Sequence, residues 1–522
     1  MPSFDYVVIG AGVNGLAAAV HLARKGWRVA LVERSQRPGG AVRTEEVTLP
    51  GFRHDLFAMN VSLFAGSSFY REHKAALDAA GLEFVGVENS FASAFPDGKW
   101  LGVTTDLDAT CARIASYSRA DADQWRAMAQ AFPSEAPYIG GILGLPMPSW
   151  SVMRLLIRAW REKGFAWVRD MIRMLLSSSR NYLDARFESP EVRALMAAWG
   201  MHLDFGPDVA GGAIFPYLES LGCQNFGMAL GKGGADAIVR AMTRAIEAAG
   251  GSVMVNAEAT KIVAERGKAT AVLLANGRRI EVGRCIIANL HPRILIEHLA
   301  PGIGPAFAEA ARQFRAGPAT MMVHLALDSL PDWTAGSALQ RFAYVHLAPD
   351  YDMMGLAYQQ ALGGLLPREP VLVVGQPTAF DTSRAPDGKH ILWIQVRAVP
   401  YEIKGDAAGT IGCHSWDEAS LPYADRVIDI VDRYAPGLRR KILASAVQSP
   451  LDLERINPNL VRGDSLSGSH HLDQNFLFRP FAGWSNWETP LRNLYMVGAS
   501  TWPGAGTGAA SGFMLAKKLA GR

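Results

Sequence analysis

A short apolar run, Tyr6-Val7-Val8-Ile9, leads without a linker into Gly10-Ala11-Gly12-Val13-Asn14-Gly15. Val7, Val8 and Ile9 are β-branched, which favours a strand buried on both faces in a parallel sheet. The turn has GxGxxG spacing. A helical pattern occupies Leu16–Lys25, then comes Gly26, then a second apolar strand, Arg28–Val32, which runs into Glu33. Each glycine has its own task in such a unit. Gly10 makes the tight turn, Gly12 lets backbone approach a pyrophosphate, and Gly15 lets helix and strand pack closely. The helix start offers free N–H groups and its positive dipole end to the phosphates. Glu33 lies 18 residues beyond Gly15, where a carboxylate accepts hydrogen bonds from ribose hydroxyls. Strand, turn, helix and acid agree, so the unit predicts an α/β fold built around a bound dinucleotide.

The residues after Glu33 narrow the dinucleotide. Arg34 and the run Pro38-Gly39-Gly40-Ala41-Val42-Arg43-Thr44 resemble the glycine-glycine-arginine signature of FAD-dependent oxidases and desaturases. That resemblance implies a loop whose backbone and arginine carry the cofactor's phosphates close to the flavin. Arginine suits the task because its planar fork pairs bidentately with phosphate oxygens. FAD is the expected cofactor, and no metal is expected. At 522 residues the chain is too long for one simple core. A net charge of +3 is too mild to imply nucleic-acid binding. None of Cys111, Cys223, Cys285 and Cys413 sits in a C-x-x-C pair, which argues against a zinc ribbon or a dithiol redox centre. No apolar leader precedes the first strand, so no signal peptide is expected. The longest uncharged run, 136–153, holds three prolines and an adjacent glycine pair, which is no pattern for a membrane span. The expected location is the cytoplasm, with peripheral membrane contact left open.

The order of patterns predicts a discontinuous, Rossmann-like FAD-binding domain, an α+β substrate domain and a helical subdomain able to face a membrane. Residues 1–110 begin the cofactor domain, with short strands, an apolar loop over Leu56–Phe69 and a helix over Tyr70–Ala80. Residues 111–225 read as mostly helical. Within 151–180 there are seven Arg or Lys against two acids. Arg154, Arg158 and Arg161 share one helical face, while Leu155, Leu156, Ala159 and Trp160 lean to another. Such a stretch can lie on an anionic membrane surface, or pack its apolar side inward and turn its charges to water. Residues 226–292 return to the cofactor domain. Gly231-Lys232-Gly233-Gly234-Ala235 opens a helix, Ala237–Ala249, followed by a strand, Ser252–Asn256, a meander over Ala269–Leu274 and Arg279–Val282, and a buried strand, Arg284–Ala288. Residues 293–460 predict an antiparallel sheet from Met321–Leu327, Leu339–Leu347, Val371–Gln376 and His390–Val396, with a helix over Asp417–Tyr434. Residues 461–522 complete the cofactor domain.

There a glycine-rich unit recurs. The strand Asn493–Val497 enters Gly498-Ala499-Ser500-Thr501-Trp502-Pro503-Gly504-Ala505-Gly506-Thr507-Gly508, and a helix runs on from about Ala509 to Leu519. Its free N–H groups, over Thr507–Ala510, suit a pyrophosphate or the flavin N1–C2=O edge, which is negative once reduced. With these two turns and the segment Gly231–Ile262, the chain resembles over its full length the phytoene desaturase and carotenoid isomerase family of flavoproteins. Retinol saturase and the pyridine nucleotide-disulfide oxidoreductase domain-containing proteins belong to the same group. The resemblance implies that Gly10, Gly12, Gly15, Glu33, Arg34, Gly39, Gly40 and Arg43 bind FAD. It implies that the backbone at Ala259 holds the adenine, and that Gly498, Gly506, Thr507 and Gly508 hold the pyrophosphate–flavin portion. Two departures fall where substrate should meet flavin. Ser467-Gly468 stands where relatives have His-Gly, and Trp502 where they have histidine.

The chemistry expected is hydride transfer from a hydrophobic unsaturated or aromatic molecule to flavin N5, by a desaturase, dehydrogenase or oxidase. Such a reaction needs apolar walls and one modest base. Phe476, Phe478, Phe481, Trp484, Trp487 and Trp502 are candidate walls. His470, His471 and His54 are candidate proton carriers because histidine titrates near neutral pH; Asp55 beside His54 and Trp502 are further candidates. Lys232, in a glycine turn, reads as structural. Three alternatives share the fold: an amine or amino-acid oxidase, a polyene cis-trans isomerase, and a flavin-free lipid carrier of the GDP-dissociation-inhibitor kind.

Overall fold

In the computed structural model, which describes residues 4–521, the strand Phe4–Ile9 lies inside a seven-stranded sheet. Val29–Val32 runs parallel on one side and the end of Arg279–Asn289 on the other, so Ile9 stands between Val32 and Ala288. Ser252–Met254 extends one edge, and Leu494–Val497 adds to the other with Val497 beside Asn289. These parallel strands are apolar along their length because both faces are covered; Val7, Val8, Ala30 and Ile286 are fully buried. The helices Val13–Arg24 and Ala510–Ala520 pack on each other over one face. Gly512 permits it, since a Cβ there would fall 1.8 Å from the Asn14 carbonyl oxygen. The two ends of the polypeptide meet in this layer.

Arg279–Asn289 is one eleven-residue strand where the sequence suggests two. Its first half pairs antiparallel with Lys268–Leu274 and its second half parallel with Phe4–Ile9. Gly283, whose Cβ would press 3.3 Å from the Phe4 carbonyl oxygen, marks the change of partner.

A second seven-stranded sheet has the order Ile442–Gln448, Ala319–Leu327, His390–Val399, Val371–Gly375, Tyr344–Leu347, Asn89–Ala94 and Trp100–Thr104. The last two strands correct the expectation that residues 1–110 all serve the cofactor domain. Asn89–Ala94 lies parallel to Tyr344–Leu347, with Phe91 beside Tyr344, a pairing no local pattern announces. The strand expected over Leu339–Leu347 shortens to Tyr344–Leu347, preceded by a 3₁₀ turn at Ser337–Arg341. The Gln376 amide donates to the carbonyls of Leu339 (2.9 Å) and Phe342 (3.0 Å), taking acceptors a ladder would need.

Between Leu107 and Phe226 the elements are helices, among them Arg119–Leu143, Trp150–Leu176, Pro190–Met201 and Ile214–Phe226. Trp150–Leu176 is broken at Gly164 (φ +84°). Among the described residues no helix is long and apolar enough to cross a membrane. Among the described residues the four cysteines form no disulfide.

Candidate active site

The C-terminal ends of the parallel strands open into a cavity of about 2140 Å³. Pockets for single small ligands hold about 300–1,000 Å³, so this one has room for a dinucleotide and a second molecule beyond it. Asn289, at the end of its strand, ties the glycine turns together. Its Nδ2 donates to the Gly10 carbonyl at 3.2 Å. A Cβ on Gly12 would lie 2.8 Å from that nitrogen, and one on Gly498 would lie 2.9 Å from Oδ1. Gly10, at φ +90°, passes 2.9 Å below the Asn289 carbonyl oxygen on the same measure. Gly15 does not line the cavity. Its Cβ would fall 2.2 Å from the Gly10 carbonyl oxygen, so its part is the close contact of helix and strand. Glu33 is already fixed: Oε2 accepts from the Ala11 N–H (2.8 Å) and Oε1 from the Ser35 N–H and hydroxyl (both 2.9 Å). An ionised carboxylate has about four acceptor sites, so it retains capacity for ribose hydroxyls.

Arg34, Gly39, Gly40, Arg43 and Ala259 line the same cavity, as do Gly498, Gly506, Thr507 and Gly508 from the other end of the chain. Two features ask for an anion. The Arg43 guanidinium pairs with Glu45 through Nη2 (2.5 Å), yet its Nε is buried with no hydrogen-bond partner among the described residues. A buried donor left unsatisfied costs about 1–3 kcal/mol, which a phosphate oxygen would remove. The helix Ala510–Ala520 starts at the cavity, and no side chain caps it, so it presents its N–H groups and positive end. A dinucleotide fits this donor set.

Beyond the cradle the cavity becomes an apolar chamber between the helices and the second sheet. Phe132, Leu155, Val168 and Met171 form one wall, and Trp199, Tyr344 and Trp393 another. The expected catalytic side chains divide. His470 and Trp502 line the cavity, and one ring nitrogen of each is engaged. The Ala505 N–H donates to His470 Nε2 at 3.0 Å, and Trp502 Nε1 donates to the Leu145 carbonyl at 2.8 Å. Burial, and the Arg479 charge after it, hold the His470 imidazole well below its usual range, hence neutral. His471 and His54 are not in the wall, which corrects their candidacy. His471 Nε2 donates to the Asp204 carbonyl at 2.7 Å, pinning a buried loop. His54 is sealed under the second sheet, bonded to Thr48 Oγ1 at 2.8 Å, and burial pushes it down to about 2. Of the aromatic set, Phe476 and Trp502 face the cavity, with ring centroids 5.2 Å apart. Phe481 and Trp484 instead pack on Phe307, Trp487 donates to Ser511 Oγ at 3.1 Å, and Phe478 is exposed.

Sequence reasoning did not single out Asn289, which it read as a strand stop, nor the buried Asp55–Arg384 pair. Arg384 bonds both Asp55 and Asp381 and donates to the Gly231 carbonyl at 2.9 Å. Asp55 Oδ1 accepts from Thr44 Oγ1 and the Ala235 N–H, both at 2.7 Å. Asp55 therefore ties the loop after Arg43 to the glycine turn at Gly231 and has no catalytic position. Lys232 is exposed and pairs with Glu83 at 2.8 Å.

A family model for flavin-containing amine oxidoreductases matches residues 14–392. The chain belongs to this family. It is thus an FAD-dependent oxidoreductase. The flavoenzyme is 28% identical to pyridine nucleotide-disulfide oxidoreductase domain-containing protein 2 of Mus musculus, over 98% of this chain and 92% of that one. It is 27% identical to the neurosporene-forming phytoene desaturase of Cereibacter sphaeroides, over 96% of this chain and 91% of that one. Among solved structures, wild-type putrescine oxidase bound to putrescine superimposes with a TM-score of 0.60 at 16% identity, covering 100% of both chains. That likeness is one of fold.

Proposed function

We propose that this flavoenzyme dehydrogenates a hydrophobic unsaturated or aromatic molecule held in the chamber. In this reading Glu33 receives the ribose, the backbone at Ala259 flanks the adenine, and the turns at Gly10–Gly12, Gly39–Gly40, Gly498 and Gly506–Gly508 admit the pyrophosphate. Arg43 Nε and the start of the helix Ala510–Ala520 meet the negative charge. When bound, FAD supplies the hydride acceptor, N5. The observation that carries the substrate class is the chamber itself, an apolar continuation of the cradle within the same cavity. Its walls orient an apolar substrate and exclude water. The relationship to phytoene desaturases supports the same reading. Oxidation of an amine is the second reading, and Glu219 favours it, since this carboxylate in the chamber wall can seat an ammonium.

The helix Trp150–Leu176 suggests how such a substrate arrives, at an anionic bilayer facing the cytoplasm. Leu155, Ala159, Val168 and Met171 face the cavity, while Trp150 (79% exposed), Trp160 (55%) and Phe165 (70%) stand outside with Met153 and Ile157. Arg154, Arg158 and Arg161 flank that outer stripe and match anionic headgroups in charge. One helix then separates the chamber from the membrane surface.

Anaerobic addition of phytoene or putrescine to the flavin-loaded protein tests the substrate class. Bleaching of the flavin by phytoene and not by putrescine is expected. Bleaching by putrescine alone selects the amine reading, and an unbleached flavin with both contradicts the proposal.

A further inference from the structure

One charged group in the chamber has no structural employment. Glu219 sits on the helix Ile214–Phe226 with its side chain in the cavity wall. The other acids lining that cavity among the described residues, Glu33 and Glu258, belong to its nucleotide end. Among the described residues no hydrogen bond or ion pair offsets Glu219, and burial is the whole of its perturbation. The titratable groups that line the chamber with it cannot serve as counter-charges. Cys223 on its own helix and Tyr344 on the second sheet are both driven by burial away from ionisation. His202 pairs Nε2 to Nε2 with His346 at 2.9 Å, and burial keeps both neutral. Arg397 is committed to the carbonyls of Met201 (2.8 Å) and His202. An unpaired carboxyl in an apolar wall costs stability, and such groups concentrate where proton transfer is needed.

We propose that Glu219 accepts the proton released in the dehydrogenation, a role that rests on the hydrophobic-substrate reading. One substrate C–H bond gives up its electron pair as hydride to FAD. The adjacent C–H bond breaks, its pair becomes the new π bond, and its proton passes to a Glu219 carboxylate oxygen. The substrate loses two hydrogens, and the electrons leave with the hydride.

Burial raises the Glu219 carboxyl to about 7, near the pH at which a general base works best. Because the folded protein holds this proton more tightly than the unfolded chain, the contribution to stability is full below the ordinary value of 4.5 and lost as pH rises through about 7. Anaerobic stopped-flow reduction by phytoene, across about pH 5–9, compares wild type with Glu219→Gln and Glu219→Asp. The wild-type rate should climb with pH to a plateau, with its midpoint near 7. Glu219→Gln should lose that limb and run about 100-fold slower or worse at the plateau, while Glu219→Asp keeps a limb. Apart from turnover, infrared difference spectra should show a protonated-carboxyl band in wild type that titrates near 7 and is missing from Glu219→Gln. The Tm advantage of Glu219→Gln should widen as pH rises. A Glu219→Gln enzyme with wild-type rate and limb overturns the proposal and leaves the function standing. So does a loss confined to putrescine affinity, which assigns the carboxylate to ammonium binding. Failure of phytoene to bleach wild-type flavin overturns function and proposal together.

Discussion

Arg384 and Asp55 are both fully buried, and Arg384 is the counter-charge of both Asp55 and Asp381. Arg384→Ala leaves a carboxylate stranded in the interior, so it should cost about 3–5 kcal/mol of stability. Urea unfolding should show this as a lower midpoint with an unchanged slope. Arg43→Ala is expected to behave differently, because its side chain lines the cradle and not the core. Loss of a charged hydrogen bond worth about 1.5–3 kcal/mol should weaken FAD binding by about 10- to 150-fold, read by fluorescence titration of the apoprotein. The turn at Gly10–Gly15 was legible from the sequence because spacing within one turn sets its geometry, and Arg43 was picked out by the resemblance of its loop to a known signature. Asn289 and Arg384 were not, since each bonds residues distant in the chain, and Glu219 was not, since its place in the chamber wall is set by the fold. Histidine chemistry suggested His54, His470 and His471, but residue type does not report burial, and burial is what keeps His54 uncharged.

The helix Trp150–Leu176 shows what an amphipathic pattern leaves unsaid. Its basic and apolar faces can be read from spacing alone. That it is apolar on two sides, one walling the chamber and one outside, depends on where the rest of the fold sits. If the outer stripe rests on anionic lipid, each arginine near the surface contributes about 1 kcal/mol. Replacing Arg154, Arg158 and Arg161 together by Gln should then weaken binding to phosphatidylserine vesicles by about 100-fold, measured by co-sedimentation. Flavin reduction by detergent-solubilised phytoene should not change. Equal binding of wild type to neutral and anionic vesicles would contradict the membrane assignment. Among the strands, the apolar runs at 4–9, 29–32 and 494–497 announced themselves. Asn89–Ala94 and Trp100–Thr104 did not, because their place in the second sheet is decided by a partner some 250 residues later.

The molecule as a whole is organised by the meeting of its termini. Gly512 lets the last helix rest on the backbone of Asn14, and Asn289 joins the turns at Gly10 and Gly498 from between them. A cofactor binding only the folded form should stabilise it by about 2.7 kcal/mol at a concentration 100 times its Kd, so FAD should raise the Tm of the apoprotein in a concentration-dependent way. The most direct measurement is the FAD retained per chain after gel filtration of wild type, Arg43→Ala and Gly508→Val. Gly508 lines the cavity and a Cβ there has no neighbour nearer than 3.6 Å, so the substitution burdens the cradle and not the fold. The expected result is about one FAD per wild-type chain and marked loss in both variants, one at each end of the sequence. A wild-type protein that takes up no FAD, or a flavin indifferent to Gly508→Val, would contradict a single cofactor clasped by both ends.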